Sequence, residues 1–184
     1  MRKNSVLQIP HTIICPGIHS PQLTDCFLES FPSNFCHRIL VVPTLDYPPY
    51  CVPRLWLFLK DNLGSPANSP PLLFLAFSAG VVGAMGVAWL WQQQGGKVQA
   101  VIALDGWGVP KMGNFPVYRL SHDYFTHWSS ALLGGEKESF YAEPAVTHLE
   151  LWQSPPTVWG WWVLPSGGKC RCSAADFLGQ IVVR

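Results

Sequence analysis

The sequence predicts an α/β fold: a three-layer α/β/α sandwich on a mostly parallel central sheet, carried as a single domain over residues 1–184. Short runs of continuous apolar, often β-branched residues recur along the chain, and each is followed by a segment whose apolar residues fall on one helical face. A strand that is apolar at every position is buried on both sides, and strand–helix alternation is how a parallel sheet acquires cover on both. The length agrees, since 184 residues suit one domain that buries ~70% of its unfolded surface.

The elements follow in order. "HTIICPGI" is a strand ended by Pro16-Gly17, and in "LTDCFLESF" Leu23, Phe27, Leu28 and Phe31 share one helical face. "RILVVPT" is a second buried strand, and "VPRLWLFLKDNLG" a helix with Pro53 in its first turn and Gly64 at its C-terminal end. After the Pro/Ser-rich linker "GSPANSPP", "PPLLFLAFS" is a third strand that runs into a small-residue helix from Ala79 to about Gln94, stopped by Gly95 and Gly96. Gly83 and Gly86, with Ala84 and Ala88, are expected to let that helix lie close against the sheet. "VQAVIALDG" and "FPVYRLSHD" are the next two strands, and Ser154-Pro155 reads as a helix start.

Charge excludes some classes of partner. Twelve Lys and Arg against eleven Asp and Glu leave a net +1 with no basic cluster, so nothing in the chain tracks nucleic acid or an anionic membrane surface. Charged residues are 12% against a typical ~25%, and aromatics are plentiful, which implies large buried or ligand-lining apolar surfaces and a small or neutral partner. The longest apolar stretch, Leu72 to Trp91, is broken by Ser78 and small residues, short of the ~18 uninterrupted positions of a membrane span. "MRKNSVLQIPH" has two positive charges but no apolar core before Pro10, unlike a secretory signal, so a cytoplasmic location is expected. Six cysteines in a chain of this size are expected as free thiols, with Cys15 and Cys26 packing as small hydrophobes. Cys170 and Cys172 are too closely spaced for C-x-x-C chemistry.

Ser78 carries the chemical signal. It stands at the carboxyl end of a predicted central strand, on the turn into a helix, which is where open α/β sheets place ligands. The pattern Ala76-Phe77-Ser78-Ala79-Gly80 resembles the G-x-S-x-G nucleophile elbow of the α/β-hydrolase family, with alanine at the first glycine. Small residues two before and two after the serine let strand and helix approach across a sharp turn. "IICPGIHS" looks like the family's first-strand loop, and the element order from residue 12 to about 165 is similar to a minimal, lidless member of the family.

The resemblance implies an esterase or lipase-like serine hydrolase acting on a small or medium apolar ester or thioester, with no cofactor. Ser78 is then the nucleophile, and the N–H groups of Ala79 and of Gly17 or Ile18 form the oxyanion hole. The chain order Ser, acid, His makes His148 the leading base, with His122 and then His127 as competitors. Asp123, at the end of "PVYRLSHD", is the preferred acid because the family most often keeps its acid there, and Asp105, one strand nearer, is the alternative. Asp123 reads equally as an N-cap for "YFTHWSSALLG", and Asp105-Gly106 as a turn. Trp107, Tyr124, Trp128, Trp152 and Trp159 to Trp162 are expected near the mouth of the site, where they suit an apolar acyl pocket, a core or a homodimer interface alike. The alternative function is a catalytically inactive hydrolase fold kept as a ligand-binding or protein-interaction module, which fits the missing first glycine and the abundant tryptophans.

Overall fold

The computed structural model describes residues 10–30 and 38–183; the N-terminal pattern at 1–9 and Phe31 of the first helical face lie outside them. The described elements are β1 (His11–Cys15), α1 (Pro21–Glu29), β2 (Arg38–Val41), α2 (Val52–Leu63), β3 (Leu72–Phe77), α3 (Ala79–Gln93), β4 (Val98–Leu104), β5 (Val117–Ser121), α4 (Tyr124–Ala131), β6 (Ser139–Ala142), α5 (His148–Gln153), β7 (Trp159–Val163), β8 (Lys169–Ser173) and α6 (Ala174–Val182). The strands form one eight-stranded sheet in the order β2-β1-β3-β4-β5-β6-β7-β8. Pairing is parallel from β2 through β6 and antiparallel from β6 to β8. No helix among the described residues is long and apolar enough to cross a membrane.

All six residues of β3 are buried, which its unbroken apolar run requires. Because side chains alternate along a strand, its residues enter two different hydrophobic clusters. Phe74 and Ala76, with Val101 and Ala103 of β4, join Leu55 and Leu59 of α2 and Val81, Ala84 and Ala88 of α3. Leu73, Leu75 and Phe77, with Ile102 and Leu104, join Phe27 of α1, Trp152 of α5 and Phe177 of α6. Phe27 and Trp152 stack with ring centroids 3.7 Å apart.

Three sequence expectations are corrected here. β2, expected as a buried strand, is the edge of the sheet, with Arg38 and Ile39 exposed and Leu40 and Val41 half-buried, because only β1 pairs with it. Ala84 and Ala88 do belong to the cluster with the sheet, but Gly83 and Gly86 face elsewhere: a Cβ on Gly83 would stand 2.0 Å from the Pro49 carbonyl oxygen, and one on Gly86 2.4 Å from Val52 Cγ2. The glycines therefore admit α2 and the loop before it, and α3 is apolar all round because it is covered on two sides. Ser154-Pro155 does not open a helix; it follows one. Thr147 and Glu150 form a reciprocal capping box that starts α5 at His148, and Ser154 is the residue after its last turn.

Gly64 closes α2 at φ +75°, as its position predicts. The strand β8, antiparallel to β7, and the helix α6 lie beyond the expected core, which ends at about residue 165. Trp162 of β7 packs edge-on against Phe177 of α6, with centroids 5.4 Å apart. Cys15, Cys26, Cys51, Cys170 and Cys172 are free thiols, and complete burial pushes the Cys15 thiol up to about 12.

Candidate active site

The sheet order reverses direction at β1, whose neighbours β2 and β3 lie on opposite sides. A switch point of this kind opens a crevice outside the carboxyl ends of the flanking strands. Ser78 sits there, between β3 and α3, with φ +54° and ψ −123°. Its N–H donates to the Leu104 carbonyl at 2.9 Å, which ties the turn to the end of β4. The loop after β1 lies directly across this turn. A Cβ on Gly80 would meet the carbonyl oxygens of Cys15 at 2.2 Å and Pro16 at 2.5 Å, and one on Gly17 would come within 3.0 Å of Ser78 Cβ. Backbone atoms cannot yield at such distances, so the small residues around Ser78 have a steric cause.

Gly17 thus stands beside the serine, Ile18 follows it in the loop, and neither of their N–H groups has a backbone acceptor among the described residues. Ala79 opens α3, where the first N–H groups of a helix lack intrahelical partners. These are donors of the type that an oxyanion hole needs.

Asp105 follows β4 and is buried, at 6% exposure, with φ +50°. Ser78 and Asp105 are the two non-glycine residues with positive φ among those described. Left-handed backbone costs about 1 kcal/mol or more in an L-residue and concentrates at functional sites. Gly106 lets the Asp105 turn pass α3, since a Cβ there would lie 2.6 Å from Val81 Cγ1.

Three donors converge on the Asp105 carboxylate. The His122 backbone N–H reaches Oδ1 at 2.9 Å, His122 Nδ1 lies 2.9 Å from Oδ2, and His148 Nδ1 lies 2.8 Å from the same Oδ2. Burial pushes this carboxyl up, but the hydrogen bonds from His122 and His148 and the nearby imidazole outweigh it, and the net shift is downward. His122 is raised chiefly by its hydrogen bond to Asp105, against the opposing effect of burial. His148 is the first residue of α5, and its ring stacks at 4.5 Å on Phe77, the residue before Ser78. With Nδ1 committed to Asp105, Nε2 on the other side of the ring is left to accept a proton.

The preferred acid of the sequence reading takes a different position. Asp123 is the N-cap of α4, accepting from the Thr126 N–H at 2.6 Å, and its Oδ2 stands 3.4 Å from His122 Nε2. His148 is paired with Asp105. His127 lies away from this cluster on α4, its ring 4.9 Å from that of Tyr141, and burial and then Lys169 lower its pKa. Of the aromatics expected at the mouth, Trp107, Tyr124, Trp128 and Trp159 are exposed, whereas Trp152 is fully buried against Phe27 and Phe77. Ile18 is exposed.

Asp105, His122 and His148 offer three donor atoms within 4.8 Å of one another, which raises the question of a metal. Bonds of ~2.0–2.2 Å to one ion hold neighbouring ligand atoms roughly 2.8–3.5 Å apart, depending on the angle at the ion. Here both Nδ1 atoms approach one oxygen at 2.8 and 2.9 Å, the spacing of N–H···O hydrogen bonds. As they stand, the three groups are hydrogen-bonded to one another.

Two residues escaped sequence reasoning. His19, in the loop after β1, has its ring 5.6 Å from Phe77 and 6.1 Å from Trp152. Arg119 is buried within β5, and its only signal was a charge inside an apolar strand. No family model matches the chain, and no curated protein matches it in sequence.

Proposed function

We propose that this chain is a serine hydrolase with a three-layer α/β/α core of the α/β-hydrolase type, acting on a small or medium apolar ester or thioester. The observation that carries the reading is the pairing of strained backbone with a held imidazole. Ser78 and Asp105 occupy left-handed turns at the ends of adjacent strands β3 and β4, and Asp105 grips His148 through Nδ1. In the mechanism, His148 Nε2 takes the Ser78 hydroxyl proton as Oγ attacks the carbonyl carbon. Asp105 keeps Nδ1–H pointed inward and stabilises the imidazolium that forms. The oxyanion of the tetrahedral intermediate accepts from Ala79 N–H and from Gly17 or Ile18 N–H. Collapse expels the alkoxide or thiolate, which recovers the proton from Nε2, and water attacks the acyl-serine by the same route in reverse. The acid is Asp105, and Asp123 serves α4. The exposed Ile18 and Trp107, after β1 and β4, supply apolar surface for an acyl chain.

A fluorophosphonate probe tests this directly. Wild-type protein should be labelled to one equivalent, and Ser78→Ala should take up no label and hydrolyse no p-nitrophenyl ester while melting within a degree or two of wild type. Activity retained in a pure Ser78→Ala sample would sink the serine mechanism. Wild-type protein that stays unlabelled at every pH would instead favour the binding-module reading.

A further inference from the structure

A second site lies beneath α4. Arg119 of β5 is 5% exposed, and its guanidinium is held by two carbonyl oxygens, Nε donating to Gly134 at 2.9 Å and Nη2 to Val109 at 2.8 Å. Its Nη1 is buried and has no partner among the described residues. No carboxylate forms an ion pair with it among those residues. Burial lowers its pKa, yet a guanidinium keeps its proton at neutral pH. A buried charge satisfied only by neutral carbonyls is an expensive arrangement, and folded proteins ordinarily pair such charges.

Arg119 also forms part of the wall of a cavity of about 280 Å³, which suits a small molecule. Lys137 adds a second cation to that wall, and His127 and Ser139 add neutral polar groups. The lining carboxylate, Glu136, is turned to Lys111 at 3.4 Å. The wall thus presents positive charge with its acidic member already engaged. We propose that this cavity binds a small oxyanion, a carboxylate or phosphate group, whose charge offsets that of Arg119. A guanidinium is the cationic side chain best matched to such a group.

The proposal is independent of the hydrolase reading, so Ser78→Ala should bind the anion as wild type does. The test titrates full-length protein with inorganic phosphate and, separately, with acetate, at constant ionic strength set by chloride. Either anion should give a saturable rise in melting temperature of about 2–4 °C, matched by a calorimetric Kd of about 1 mM or tighter. Arg119→Met, which keeps the shape of the stem, should weaken that Kd by about tenfold or more, and Lys137→Met by a few-fold. Should Arg119→Met fail to fold, the exposed Lys137→Met decides by itself. Overturning results are no saturable response to either anion, or saturable binding of unchanged affinity in every folded variant, which would locate it elsewhere.

Discussion

Asp105 accepts from the His122 N–H and two imidazole nitrogens, whereas Asp123 accepts from the Thr126 N–H that opens α4. That difference separates their expected mutants. Asp105→Asn removes the charge that stabilises an imidazolium and turns an amide toward Nδ1, so kcat for ester hydrolysis should fall by up to ~10⁴-fold with the protein still folded. Asp123→Asn keeps a capping acceptor and should leave turnover within about threefold of wild type, while Asp123→Ala should cost about 1 kcal/mol of stability. An active, stable Asp105→Asn protein beside an inactive Asp123→Asn protein would move the acid to Asp123. The same cluster sets a pH dependence of stability. His122 is raised in the folded protein, so its contribution is complete below its ordinary 6.5 and is lost as pH rises through the folded value. Asp105 is lowered, so its contribution is complete above its ordinary 3.8 and is lost as pH falls through the folded value. His127 and His11 are lowered and act on the acid side of 6.5, which leaves the alkaline side of that value to His122. Melting temperature should therefore decline as pH rises above the ordinary 6.5, and His122→Gln should flatten the decline. An equally steep decline in the variant would exclude His122 as its source.

Helix starts and tight crossings decide where the site residues stand. Gly80 is fixed by the Cys15 and Pro16 carbonyls, and Gly80→Ala should cost about 1–3 kcal/mol and abolish probe labelling, because relief requires the loop after β1 to move off Ser78. A labelled, stable Gly80→Ala protein would show that the loop yields. Thr147→Ala removes the capping box at the residue before His148, so it should lower the melting temperature by a few degrees and turnover with it. Thr147→Ser should restore both, and turnover unmoved by the alanine would mean that the cap does not position His148. The start of α5 was legible in principle, since Thr147-x-x-Glu150 is a capping pattern. Ser154-Pro155 competes with it as a local signal, and only the path of the chain decides between them. β1, β3, β4 and β5 are legible because doubly covered parallel strands are unbroken apolar runs, whereas β2 reads the same in sequence but is a partly exposed edge strand. β6 to β8 are not legible: β6 has four residues, and β8, "KCRCS", is an exposed edge strand whose composition lacks that signal. The serine turn is likewise legible from its small neighbours, while the choice of acid is not, because Asp105 and Asp123 both end strands and their partners arrive from elsewhere in the sequence.

Across the whole molecule, the second hydrophobic cluster gathers Phe27 from α1, Phe77 from β3, Trp152 from α5 and Phe177 from α6, drawing on both ends of the described chain. The site is attached to that cluster: Phe77 precedes Ser78 and stacks on His148, and it also stacks on Trp152 at 5.2 Å. Loss of packing anywhere in the cluster should therefore be felt by Asp105 and His148, and β7, β8 and α6 should unfold with the rest of the sheet although β8 and α6 lie beyond the span expected of the core. Phe177 is the place to test this, since it is fully buried between Phe140 and Trp162, with ring centroids 6.0 and 5.4 Å away. Phe177→Ala removes a large buried ring and should cost about 3–5 kcal/mol. In wild type, denaturant unfolding followed by far-UV circular dichroism, by tryptophan fluorescence and by loss of probe labelling should give one midpoint. Phe177→Ala should lower all three midpoints together. An early fluorescence transition in the variant, with labelling of Ser78 retained to the wild-type midpoint, would make β7, β8 and α6 a separately folding unit and the parallel strands sufficient for the site.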